Sequence, residues 1–317
     1  FLSIFLILNL TLASLSHAKV SAEEAAKLGQ TLTFVGATKA ANKAGTIPEW
    51  TGGVTAPPAG YVKGGQLITP FPDDKPLFTI NHDNLKTYEK NLTAGQIALI
   101  KTFPTTYKMR VYPTRRSASL PQKNYDETMA NATRVELTNE GNGFTGTATG
   151  FPFPIPKRAN EVMWNHMVRN ISRGIRGFAN SAVTAPSGDY VVERTYFELA
   201  SRYGNPDITL EKLDNKLHYI LARVVAPPKN AGSAVLLHVP LDRKKETLNA
   251  WLYSTSTNRV RRIPDVGYDN PFAISGGLMT QDQVDMFNGP FDRYDFKIVA
   301  KKELYIPYNS YAIYSTK

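Results

Sequence analysis

The second half of the chain alternates apolar and polar residues with a period of two. In residues 294–307, Tyr294, Phe296, Ile298, Ala300, Leu304 and Ile306 fall on one side, and Asp295, Lys297, Lys301 and Glu303 on the other. That pattern predicts a strand with one buried and one wet face. Residues 189–201 ("DYVVERTYFELAS"), 216–226, 234–241, 247–254 and 258–263 alternate in the same way and are separated by short turns. No helical pattern interrupts them before about residues 280–287, so successive strands should pair antiparallel rather than build βαβ units.

The first half reads differently. A helical period and capping signals predict helices over residues 21–30, 81–92, 93–103, 121–133 and 158–171. Ser21 with Glu24, and Thr93 with Gln96, have capping-box spacing. Pro104 stops the third helix, and Pro121 opens the fourth, where its missing N–H costs nothing. In the fifth, Val162, Met163, His166 and Met167 share a face. From about residue 44 to 76 the chain is Pro/Gly-rich, which predicts an arm laid over the surface and anchored by Trp50 and Tyr61. The expected architecture is α+β: a large curved antiparallel β-sheet, with helices packed on its apolar face.

Composition narrows the class. With 317 residues, 42% hydrophobic and 20% charged, the chain can bury a full core. The net charge of +10 favours anionic partners, but no Lys/Arg run exceeds three residues and no nucleic-acid motif occurs, which argues against nucleic acid. The opening run "FLSIFLILNLTLASLSHA" joins an apolar stretch to small residues, with Ser16 and Ala18 placed for cleavage before Lys19. This is the pattern of a secretory signal peptide. A membrane anchor is the alternative, but Asn9 and Thr11 shorten the apolar stretch below the ~20 residues of a span. Residues 1–18 are thus expected to be a signal and 19–317 a single domain. The missing initiator Met and basic n-region point to a clipped start, and the abrupt "YNSYAIYSTK" to a truncated C-terminus. There is no cysteine, hence no disulfide and no lipid-anchor thiol, and a soluble periplasmic protein is expected.

Motifs for catalysis are sparse. The five histidines (His17, His82, His166, His218, His238) form no H-x₃-H or HExxH pair, so no metal and no cofactor is expected. "AISGG" (residues 273–277) has alanine where a nucleophile elbow needs its first glycine, and no phosphate loop or dinucleotide fingerprint is present. His166 beside Trp164 is the best lone catalytic candidate; a core or interface histidine is the simpler reading. Asp73 and Asp74 are adjacent carboxylates in the arm, where a solvated turn is the simpler reading. Nothing in the sequence argues positively for an enzyme, and no catalytic residue is assigned.

Two stretches, "FPFPIPKRANEVMWNH" and "WLYSTSTNRVRRIPDVGYDNP", resemble an exported bacterial family of unassigned function known as outer-membrane lipoprotein-sorting-protein-like. "SAEEAAKLGQTLTFVGATKAANKAGTIPEWTGG", "MRVYPTRRSAS" and "DMFNGPFDRYDFKIVAKKELYIPYNS" extend the resemblance over nearly all of the chain. It implies an open half-barrel, lipoprotein-carrier-like, closed by helices over an apolar cavity. It further implies a shuttle or adaptor for a hydrophobic or lipid-like ligand, acting beside an outer-membrane β-barrel protein and an efflux-type inner-membrane transporter.

On that expectation the hairpin at residues 251–264 directs Trp251 and Tyr253 into the cavity and sets Arg259, Arg261 and Arg262 at its rim, facing a headgroup. The simpler alternatives are core rings and a solvated arginine face. Trp164, Met167, Tyr294 and Phe296 are further cavity candidates. Phe151 and Phe153, alternating with prolines, belong either to a lid or partner strip or to a buried connector. Three functions stay open: a carrier of hydrophobic ligands, a protein-binding adaptor without cargo, and a lipid or polysaccharide hydrolase.

Overall fold

The computed structural model describes residues 20–314, except Ser172, Asp265, Ala273 and Ile274. The expected signal segment and the first two residues of "AISGG" lie outside the described residues. Helix α1 (Ala22–Ala25) starts at Ser21, whose hydroxyl accepts from the Glu24 amide while the Glu24 carboxylate caps the Ser21 amide. The Pro/Gly-rich arm follows as turns. Trp50 anchors it, meeting Phe34 and Tyr125 edge-on and donating to the Ala118 carbonyl. Just before the arm, Gly36 lets the chain touch the Phe151–Pro156 stretch: at φ +86°, a Cβ there would lie 1.6 Å from the Pro154 carbonyl oxygen.

A small satellite unit comes next. Strand β1 (Phe78–Ile80) pairs antiparallel with β2 (Met109–Val111), and between them run α2 (Leu85–Tyr88) and α3 (Ala94–Thr102). The predicted helix over residues 81–92 is shorter because Asn81 folds residues 81–84 into a side-chain-capped turn, its Oδ1 accepting from the Asp83 and Asn84 amides. Helix α3 begins at the predicted Thr93–Gln96 capping box. Ile80, Leu85, Leu92 and Ile100 form the core of this unit.

Helix α4 (Gln122–Arg134) leads into the hairpin β3 (Glu136–Thr138) and β4 (Gly143–Thr145), then α5 (Ala159–Met167). The second half is a meander: β5 (Gly174–Thr184), β6 (Tyr190–Ser201), the short helix α6 (Leu210–Leu213), β7 (Lys216–Ala226), β8 (Ala234–Pro240), β9 (Asn249–Ser254) and β10 (Arg259–Ile263). These six strands pair only with sequence neighbours, all antiparallel, and β5 and β10 are left as edges. The sheet is therefore open, with bulges at Arg194/Thr195 and Lys216/His218 that bend its strands. Among the described residues no helix is long and apolar enough to cross a membrane.

Directly paired residues of antiparallel strands share a face. Ile220, Leu237, Val239 and Ala250 are cofacial by register. Trp164, Phe144, Phe153, Tyr203 and Phe291 complete the main core with the sheet's apolar side chains. Trp164 is 1% exposed and donates its ring N–H to the Gly141 carbonyl.

Four expectations need correction. Residues 294–307 form no strand; near their end the satellite unit holds the backbone instead, where the Tyr305 amide donates to Asn91 O and the Asn91 and Gln96 side chains donate to the Glu303 and Tyr305 carbonyls. The segment is a strap: Phe296 packs on the main core and Tyr305 on the satellite core, while Ile298 and Ile306 are exposed. Strand β5 is not predicted by alternation, because its Gly, Asn, Ser and Ala residues carry little β signal. Residues 280–287 give only a 3₁₀ turn, Gln281–Gln283, before Asp285 and Met286 take positive φ. In α5 the face shared by Val162, Met163, His166 and Met167 is split: Met163 and Met167 pack partly buried against the core beside the fully buried Trp164, while Val162 is exposed.

Candidate functional site

The register of β5–β10 sorts the sheet's side chains into two faces. The core-side face continues beyond the Trp164 end with Ile175, Val183, Val191, Thr195, Phe197, Val224, Val235 and Leu252, interrupted by one polar cross-strand pair, Ser181 and Glu193. Residues around Gly276 border its far end, where a Cβ on that glycine would be 3.1 Å from Val183 Cγ1. Ile175 and Val191 are 50% and 65% exposed, so this apolar face is only partly covered. Thr195 Oγ1 is buried in it without a hydrogen-bond partner.

The opposite face carries rings and arginines. Arg194 lies 4.6 Å over Phe178, and Arg223 5.8 Å from the Tyr196 centroid. Tyr219, His238 and Trp251 follow edge-to-face at 4.6 and 4.9 Å. Arg176 and Arg262 are cofacial with these, and the acidic member is Glu198, which accepts from the Tyr196 hydroxyl.

This settles where the hairpin residues point. Trp251 pairs with Arg262, and Tyr253 with Val260, so the two rings lie on the arginine face and not against the apolar one. Leu252 and Ala250 take the core side. Arg261 pairs with Leu252 and Arg259 with Ser254, which puts these two arginines on the edge strand beside the apolar face. Arg262 donates to Asn249 Oδ1 at 2.6 Å. It also lines an open pocket of about 430 Å³ with Thr247, Leu248, Ile263 and Pro264.

The remaining candidates scatter. Trp164 is core, with Met167 packed partly buried against it, and Phe296 meets Phe287 and Phe291 edge-to-face. Tyr294 donates to the Asp282 carboxylate, which together with burial pushes its hydroxyl up to about 12. Phe153 is buried between Pro152 and Pro154, both fully buried, and its backbone is bracketed by the Asn165 side chain; the Phe151 amide donates to Thr128 Oγ1. Phe151–Pro156 is thus a buried connector and not an exposed lid. His166 Nε2 bonds the Asp285 carbonyl at 2.7 Å while the Asp285 carboxylate pairs with Arg169. Asp74 is held by Arg115 through both oxygens, which lowers its pKa, so Asp73 and Asp74 are no acid pair. Among the described residues no cluster of His, Asp or Glu is placed to hold a metal.

One buried polar group has no signature in the sequence. "LDRKKE" after β8 reads as a charged surface turn, yet Arg243 is 8% exposed. Burial lowers its guanidinium to about 10. His218, on the core-side face, is pushed down to about 4 by burial and then by the positive charges of Arg243 and Arg169. No local signal reveals a buried arginine in such a run; only the loop that covers it does.

Residues 79–317 match a family described as protein of unknown function, DUF1329. An uncharacterized protein of Pseudomonas aeruginosa is 43% identical over 304 residues, covering 95% of this chain and 66% of that protein. The chain thus spans 66% of the length of that curated relative. Two solved structures overlap partially. One is a DUF1329 family protein from Desulfovibrio piger (17% identity, TM-score 0.27, 38% of this chain and 46% of that one). The other is described as an outer membrane lipoprotein-sorting protein domain from Vibrio parahaemolyticus (16%, 0.27, 38% and 47%). The resemblance carried by "FPFPIPKRANEVMWNH" and "WLYSTSTNRVRRIPDVGYDNP" holds, and the chain belongs to the DUF1329 family of proteins of unknown function.

Proposed function

We propose that the chain is a carrier-like protein of the cell envelope that shelters a hydrophobic or lipid-like ligand on the core-side face of its open sheet. The observation that carries this reading is the partly uncovered apolar face running on from a packed core, with Ile175 and Val191 exposed. An acyl chain laid on such a face gains about 0.8 kcal/mol per buried CH₂. Apolar concave surfaces with few polar groups are the usual form of small-molecule sites. The apolar, signal-like N-terminus supports export to the periplasm, where an outer-membrane β-barrel and an efflux-type transporter would be the partners. No catalytic step is part of this reading.

The test is binding of a fluorescent fatty acid to the wild type and to single-site variants. Ile175→Glu and Val191→Glu, on the ligand face, should each weaken binding about tenfold, from lost apolar burial plus a desolvated charge. Phe178→Glu and Val260→Glu, on the other face, should not. Equal effects of the two pairs would refute the assignment of the face. A second reading, a protein-binding adaptor, draws on the exposed Phe178, Tyr190 and Val260 among arginines, a composition typical of docking surfaces. It predicts loss of partner capture in the Phe178 variant with lipid binding intact.

A further inference from the structure

Arg243 leaves the end of β8 through Leu241, a core residue, and its side chain is buried with it. It has no carboxylate partner among the described residues. The acids nearby are engaged elsewhere: Asp242 accepts from the Lys244 and Lys245 amides and from Asn139, Asp292 accepts the Tyr268 hydroxyl, and Glu140 pairs with Lys244. What Arg243 does meet is Asn288. Nη1 donates to the Asn288 carbonyl oxygen at 3.0 Å and Nη2 to Asn288 Oδ1 at 3.0 Å. Nε has no acceptor at all.

Two oxygens on two guanidinium nitrogens are what a carboxylate or phosphate offers in a bidentate pair. Asn288 imitates that fork without supplying the charge. A buried guanidinium with neutral acceptors and a spare donor is a costly arrangement, and an anion would relieve both deficits. We propose that Arg243 is the receptor for the acidic head of an amphiphilic ligand, a carboxylate or phosphate on a long apolar tail, and that Asn288 fills its place when the ligand is absent. This rests on the carrier reading above and names the ligand's chemistry.

The segment that carries Asn288 is built to be displaced. Asp285 and Met286 just before it both sit at left-handed φ (58° and 70°), unfavourable for residues with a Cβ. Met286 is 85% exposed at its tip. Besides the Asn288 contacts to Arg243, its polar ties are the Asn288 amide donating to the Asp282 carbonyl at 2.9 Å and those of Asp285 to Arg169 and His166 at the surface. Its apolar tie is Phe287, in the ring cluster with Phe291 and Phe296. Lifting the segment uncovers Arg243 and these rings together, a head site beside a tail site. The depressed pKa of the Arg243 guanidinium agrees with a cation lacking its counter-charge.

The test compares palmitate with methyl palmitate, which has the same tail and no charge, delivered from cyclodextrin to the full chain. The wild type should bind the acid about tenfold or more tighter than the ester. Arg243→Gln should bring the acid down to the affinity of the ester and leave the ester unchanged. Asn288→Ala, which removes a competing acceptor, should tighten the acid alone, and it serves if Arg243→Gln does not fold. Equal affinity of acid and ester for the wild type overturns the Arg243 assignment while leaving the carrier reading standing. Failure of both to bind overturns the two together.

Discussion

The two faces of the six-stranded sheet use the same strands and opposite chemistry. On one, Ile220, Leu237, Val239 and Ala250 meet the Trp164 core and continue into exposed aliphatic residues. On the other, arginines lie over Phe178 and Tyr196, and Trp251 sits at the end of an edge-to-face run with His238 and Tyr219. The larger rings are on the wetter side. Ring size is therefore a poor guide to which face is buried: Ala250 is 0% exposed, while its neighbour Trp251 is not fully buried. What decides the buried face is the element that packs against it, here the Trp164–Val168 turn of α5 and the segment carrying Phe291.

The sharpest way to break this comparison is to remove one tryptophan from each side. Trp164→Ala leaves a cavity and orphans the Gly141 carbonyl, and should cost about 3–5 kcal/mol. Trp251→Ala removes a cross-strand ring contact and should cost about 1 kcal/mol or less. Urea unfolding measures both. Similar costs would mean that the arginine face is also packed.

A second test uses pH. Burial holds His218 down to about 4 in the folded protein, against about 6.5 unfolded. Above pH 6.5 the residue is neutral in both states and its contribution is complete. As pH falls from 6.5 towards 4 the unfolded chain takes up a proton that the folded one refuses, so stability declines, by about 3 kcal/mol at most. His218→Gln should flatten this part of the profile. An unchanged slope between pH 6.5 and 4 would place the titration elsewhere.

How much of this was legible beforehand follows from range. Features with a local signature were visible: the capping boxes at Ser21 and Thr93 and the alternating strands of the β6–β10 meander. Features fixed at long range were not. The alternation in residues 294–307 is real, but the segment joins neither open edge of the sheet, and the Asn91 and Gln96 side chains take its Glu303 and Tyr305 carbonyls instead. The β5 strand is specified by its β6 partner more than by its own composition. The parity of β9, and with it the side taken by Trp251 and Tyr253, depends on α5, some ninety residues earlier by sequence number. Arg243 is buried with its guanidinium on Asn288, forty-five residues further along the chain.

The smallest expected effect concerns the edge. Arg259 and Arg261 flank the apolar face on β10, where they would meet an anionic headgroup or bilayer. Replacing both with Ser should weaken binding to anionic vesicles by about tenfold at low salt, and less at physiological salt. Unchanged binding at low salt would make them a solvated guard of the sheet edge.

The central claim is that the core-side face holds an apolar molecule. Native mass spectrometry of the protein purified gently from the envelope, followed by organic extraction, tests it most directly. The account predicts a co-purifying amphiphile with an acidic head, released on denaturation. A clean ligand-free mass, with no uptake of added fatty acid or phospholipid, would contradict it.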